Sequence, residues 1–290
     1  MKARFGTAGN PDAFRAAGFH HSKEMPRWLK AQGLDAYEYQ CGRGVTVGEE
    51  TARQIGEQAR EHGIILSLHA PYFANPANPD PEHQEKTAGY VLAACQAAQW
   101  MGAGRVVVHT GALQKRTRRE SLAVAKRNFL DLRRRCDAEG FADILLCPET
   151  MGKINQLGDL EEVLEVCAQD EGLMPCVDFG HLYARSLGMM DGLAATVQML
   201  DRLEEVLGPE RASRFHSHFS QIAFTPKGGE SKHLTFDQDE FGPDYHPLCQ
   251  ELARRGWSPT VICESAGTQA KDALRKKTWY EACCVGGRKG

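Results

Sequence analysis

The chain has 290 residues, 42% of them hydrophobic, and a formal charge of −3. This is enough apolar material for a sizeable core and too little positive charge to coat nucleic acid by bulk attraction, although a locally basic rim would suffice. No run reaches the roughly 18 apolar residues that a membrane span needs, and nothing behind MKARFGTAGN reads as a signal segment, so a cytoplasmic protein is expected.

Short apolar runs predict strands over residues 3–6, 36–41, 64–69, 105–109, 144–149, 175–178, 215–219 and 260–264. Helix-like segments fall between them, including 47–61, 81–101, 121–139, 160–168, 191–207 and 245–255. Asp159 ahead of Leu160 and Pro81 ahead of Glu82 are residue types that cap or open helices. Strands alternating with helices imply parallel, right-handed crossovers. In this length they predict an α/β fold closed as a (β/α)8 TIM barrel, one domain over residues 1–290. An open nucleotide-binding sheet would carry GxGxxG early, and none is there. Long loops are expected at 72–81 and 222–245, on the rim that usually serves binding. The cysteines, mostly in or beside apolar segments and without CxxC spacing, read as reduced buried thiols, and Cys283 and Cys284 receive no role.

Six metal-binding side chains close the apolar runs: His69 in LSLH, His109 in VVVH, Glu149 in LLCPE, Asp178 in PCVD, His218 in FHSH and Glu264 in VICE. A barrel of parallel strands brings such residues together around its C-terminal rim. Any one alone reads as a satisfied core histidine or a carboxylate paired with arginine. Six together point to metal, because buried carboxylates are costly unless paired or ligating. Mixed imidazole and carboxylate donors suit zinc, manganese or iron better than calcium or magnesium. In FHSHF, His216 and His218 face the same side of the strand. His218 lies nearer its C-terminal end, which leaves His216 as a supporting or barrel-filling residue. His20, His21, His62, His83 and His246 fall outside the pattern.

LSLHAPYF, VVVHTGAL, PETMGKINQLG, VDFGHLYA, SHFSQIAF and ICES, in that order, resemble the strand-end motifs of endonuclease IV. That family comprises the apurinic/apyrimidinic endonucleases, family 2, of the xylose-isomerase-like barrels. The match spans roughly residues 64–264. It implies a zinc enzyme that cleaves damaged duplex DNA 5′ to abasic sites by metal-activated water, with Glu149 and Glu264 in catalytic roles. One zinc would take His69, His109 and Glu149; a second Glu149, Asp178, His218 and Glu264; a third His181 and His233. Mn2+ or Fe2+ could replace zinc. Tyr72 and Phe73 would belong to a DNA-penetrating loop, and without the resemblance they read equally as packing of the barrel mouth. The family's third site ends in Asp-x-His, whereas this chain has Ser231-Lys232-His233. Asp237 or Asp239 could stand in if the loop folds back. Lys115, Arg116, Arg118 and Arg119 are candidate phosphate contacts, or simply a solvated helix start.

Two other readings stay open. A mononuclear sugar isomerase or epimerase of the same barrel class would need only Glu149, Asp178, His218 and Glu264, with His181 on substrate. A noncatalytic binding protein is the third.

Overall fold

The computed structural model describes residues 2–238 and 240–286. Eight parallel strands form the closed barrel: β1 (Arg4–Ala8), β2 (Ala36–Gln40), β3 (Ile65–His69), β4 (Arg105–His109), β5 (Leu145–Glu149), β6 (Cys176–Asp178), β7 (His216–Phe219) and, last in the chain, β10 (Thr260–Cys263). Around the ring the order is β1-β10-β7-β6-β5-β4-β3-β2. The eight expected strands are therefore the eight observed, with ends that differ by a residue or two. Glu264 sits just past the end of β10.

The helices are α1 (Asp12–Ala16), α2 (Met25–Ala31), α3 (Glu49–His62), α4 (Pro81–Met101), α5 (Arg118–Ala138), α6 (Leu160–Cys167), α7 (Phe179–Arg185), α8 (Gly192–Ala212), α9 (His246–Arg255) and α10 (Gln269–Gly286). None is long and apolar enough to cross a membrane. Local chemistry sets their starts. Asp80 accepts from the Glu82 and His83 amides with Pro81 in the first turn, and Asp159 with Glu162 closes a reciprocal capping box on α6. Gly102 ends α4 in the left-handed region at φ +69, where a side chain would be strained. At Gly6 the strands approach so closely that a Cβ would stand 1.9 Å from the Ala36 carbonyl oxygen.

One expectation is corrected. The stretch 222–245 is not all loop: β8 (Ile222–Thr225) and β9 (Gly229–His233) form an antiparallel hairpin outside the barrel, with a register shift between Ala223 and Phe224. Few apolar residues on β9 and the turn glycines hid it. All ten cysteines are free thiols, and eight are buried.

Candidate metal centre

Parallel register delivers the strand-end side chains to one level. His109 pairs with Glu149 across β4 and β5, and Asp178 with His218 across β6 and β7. Glu149 lies at the middle and is 1% exposed. Its Oε2 is 3.2 Å from His69 Nε2 and 3.3 Å from His109 Nε2. Its Oε1 is 3.0 Å from His218 Nδ1. His218 Nδ1 in turn lies 3.6 Å from Glu264 Oε1 and 4.0 Å from Asp178 Oδ2.

Three groups of donor atoms result, each within 4.8 Å of one another: His69, His109 and Glu149; Glu149, Asp178, His218 and Glu264; and His181, Glu230 and His233. All eight expected ligands are thus gathered at one mouth. A further group, Cys176, His216 and His218, reuses His218; burial holds the Cys176 thiol well above its ordinary value, which makes it a poor donor. His216 turns away from Glu149 toward Glu38, while His218 takes its place among the carboxylates.

Glu230 is the residue that sequence reasoning missed. The hairpin carries it to 3.6 Å from His181 Nε2 and 4.0 Å from His233 Nε2, so a carboxylate one position before Ser231 stands beside both histidines. Its Glu-x-x-His spacing differs from the Asp-x-His of the resembled family, which is why the motif does not reveal it. Asp237 does not substitute: it is exposed and paired with Lys271 at 2.6 Å and Arg275 at 2.8 Å. Asp239 lies outside the described residues.

The donors suit a metal on two further observations. Asp178 Oδ2 is buried without a hydrogen-bond partner. His69 Nδ1 and His181 Nδ1 each donate to a backbone carbonyl at 2.8 Å, of Ala70 and Thr150, which turns both Nε2 atoms inward toward the carboxylates. The electrostatics agree. Burial would raise the Glu149 carboxyl, but the His218 charge and hydrogen bonds from His218 and His69 hold it well below the usual range. Burial opposes charge on His69, yet the Glu149 hydrogen bond and charge raise it to about 9. At His109 burial wins, and the value falls to about 4.

The mouth is a cavity of about 350 Å3 whose lining includes Gln40, Tyr72, Met151, Lys153 and Gln156. Arg185 donates to the carbonyls of Met151, Lys153 and Gln156, and Arg118 to those of Ile154 and Gln156, so two guanidinium groups hold the loop after β5 in shape. Arg118 also pairs with Glu162, and Arg116 donates to the Ala77 carbonyl. These two arginines are therefore engaged in holding loops together, while Lys115 and Arg119 are exposed. Tyr72 and Phe73 are 46% and 50% exposed, with ring centroids 4.3 Å apart, and stand on the rim as an aromatic pair.

A model of the xylose isomerase-like TIM barrel family matches residues 26–283. An uncharacterized protein of Methanocaldococcus jannaschii is 31% identical over 96% of this chain and 97% of its own length. A probable endonuclease 4 of Acholeplasma laidlawii is 24% identical over 56% of each. Among solved structures, a D-tagatose 3-epimerase-like protein superposes with a TM-score of 0.67 at 19% identity, covering 88% of this chain and 91% of that one. Endonuclease IV from Thermus thermophilus superposes with a TM-score of 0.66, also at 19% identity, covering 96% and 99%. At that identity both show the shared fold.

Proposed function

We propose that this chain, which belongs to the xylose isomerase-like TIM barrel family, is a metal-dependent phosphodiesterase that cleaves DNA 5′ to abasic sites. The observation that carries the reading is the adjacency of three donor clusters at one mouth. His69, His109, His181 and His233 exceed what a single-ion isomerase needs, and Glu230 supplies a carboxylate to the third cluster, where the sequence motif has none. The partial similarity to a probable endonuclease 4 supports the same direction.

Zinc, manganese or iron held by these clusters would polarise a phosphoryl oxygen and lower the pKa of an attacking water. The chain's own groups do the rest. Glu149 spans two clusters and fixes their separation. Glu264, at the open side with 16% of its side chain exposed, is placed to accept a proton from the attacking water. Lys153 and Gln156 face the cavity from a loop braced by Arg118 and Arg185, where they can hold a phosphodiester. Tyr72 and Phe73 can stack on a base beside the lesion.

The test uses duplex DNA with one abasic analogue, incubated with metal-loaded wild type and with the Glu149→Gln and Glu264→Gln variants. Incision by wild type well above both variants is expected. Wild-type incision no better than theirs, with zinc and manganese each varied, would rule the reading out.

A second reading has its own support in the Glu149, Asp178, His218 and Glu264 tetrad, which could serve a sugar isomerase or epimerase alone, and in a cavity of about 350 Å3, suited to a small ligand. Elemental analysis separates them: two or three ions per chain favour the nuclease, one the isomerase.

A further inference from the structure

Below the proposed centre, the barrel interior holds a line of polar residues that the phosphodiesterase reading does not use. Glu38, on β2, is fully buried. Its Oε2 accepts from Ser67 Oγ at 2.9 Å and from His216 Nε2 at 2.8 Å. Its Oε1 accepts from Gln40 Nε2 at 3.1 Å and lies 2.8 Å from His218 Nε2. A carboxylate taken wholly out of water is heavily penalised unless its lone pairs are met, and here three hydrogen bonds reach it, with His218 Nε2 close beside them.

Donor and acceptor capacity then fixes the protons. Arg105 Nη1 lies 3.4 Å from His216 Nδ1, and a guanidinium can only donate. His216 Nδ1 therefore presents a lone pair, and its proton sits on Nε2, facing Glu38. His218 stands between two carboxylates, with Nε2 2.8 Å from Glu38 Oε1 and Nδ1 3.0 Å from Glu149 Oε1, and a cation that took the Nδ1 lone pair would leave the ring proton on Nε2, facing Glu38. Nδ1 is the nitrogen that lies among the carboxylates of Glu149, Asp178 and Glu264, where a cation would sit.

We propose that Glu38 is a positioning residue for the metal centre: it locks His218 as the Nε2–H tautomer with Nδ1 as the ligating atom, and His216 and Arg105 hold Glu38 in turn. The inference rests on His218 being a metal ligand and is independent of the substrate.

The test reads tautomer and metal affinity. In zinc-loaded protein labelled with 15N-histidine, long-range proton–nitrogen spectra should show His218 protonated at Nε2 and zinc-shifted at Nδ1. In Glu38→Gln the side-chain amide can donate to Nε2 and reverse the tautomer. Chelator competition should then show zinc bound about 10- to 100-fold more weakly at the cluster containing His218. Glu38→Asp, which keeps an acceptor, should recover part of the loss. Thermal unfolding of the metal-free variants separates a general loss of stability from this effect. Wild-type affinity in Glu38→Gln, or weakening in both variants that tracks metal-free stability, would overturn the inference. So would a proton on His218 Nδ1 in the wild-type spectra, a measurement that stands even if no variant folds. A wild type that takes up no zinc would overturn the metal reading and this inference together; zinc uptake indifferent to Glu38 would overturn this inference alone.

Discussion

Glu149→Gln preserves side-chain shape and removes the one charge that two donor clusters share. The carboxylate lies 3.2 Å from His69 Nε2, 3.3 Å from His109 Nε2 and 3.0 Å from His218 Nδ1, at 1% exposure. Two charges about 4 Å apart interact by about 4 kcal/mol at an effective dielectric of 20, and removing one partner of a buried pair costs about 3–5 kcal/mol. With roughly 1.4 kcal/mol per tenfold, zinc affinity should fall by about 10²- to 4 × 10³-fold at both clusters. His109→Gln should weaken only the cluster of His69, His109 and Glu149, and Asp178→Asn only its neighbour. Competition against a chromophoric chelator, with elemental analysis of each variant, measures the pattern. If Glu149→Gln kept wild-type affinity, or lost it at one cluster alone, Glu149 would not be shared and the two-cluster geometry would be wrong.

Glu230→Gln should remove about one ion per chain and leave the other clusters filled, whereas Ser231→Ala should change nothing; elemental analysis showing the reverse would return the third cluster to Ser231. Replacing Tyr72 or Phe73 by Ala should weaken binding to abasic duplex by about 1–3 kcal/mol per lost stack without altering metal content, and fluorescence anisotropy would reveal equal affinities if the pair only packs the mouth. A hydrogen bond from Arg254 at 2.7 Å and, against burial, another from Arg255 at 3.0 Å hold the Glu251 carboxyl below its ordinary value. A depressed folded value adds stability in full above an ordinary carboxyl pKa of about 4.3 and loses it as pH falls through the folded one. Thermal unfolding of Glu251→Gln should thus show a flatter decline than wild type below about pH 4.5, and parallel curves would count against the pairing. Gly6→Ala should cost about 3 kcal/mol, at the upper end for overpacking, because the added Cβ meets the Ala36 carbonyl oxygen at 1.9 Å; an unchanged melting temperature would contradict the close approach of β1 and β2.

The barrel was legible because six of its eight strands announce themselves twice, by an apolar run and by the polar residue that stops it: VVVH and VICE mark both a strand and its end. The same grammar located His69, His109, Glu149, Asp178, His218 and Glu264 without knowledge of which strands touch. It could not find Glu38. In AYEYQ an acidic residue between two tyrosines reads as a solvent-facing position of an alternating strand, and only ring closure turns that face inward onto His216 and His218. Glu230 was hidden differently, because β9 is so polar that residues 229–233 carry no strand pattern. The basic cluster at 115–119 reads as phosphate contacts or as a solvated helix start; α5 does begin there, and Arg116 and Arg118 are engaged by a backbone carbonyl and by Glu162, partners distant in sequence.

The β8–β9 hairpin hangs from the barrel rather than belonging to it, yet it contributes both Glu230 and His233. The cluster nearest solvent is consequently modular. Loss, replacement or displacement of about a dozen residues would erase it and leave the eight strands, and the donors they carry, intact. Exchange of that one appendage would therefore change the number of donor clusters at the mouth, so the sequence between β7 and β10 is where a change of chemistry on a constant scaffold would first be written.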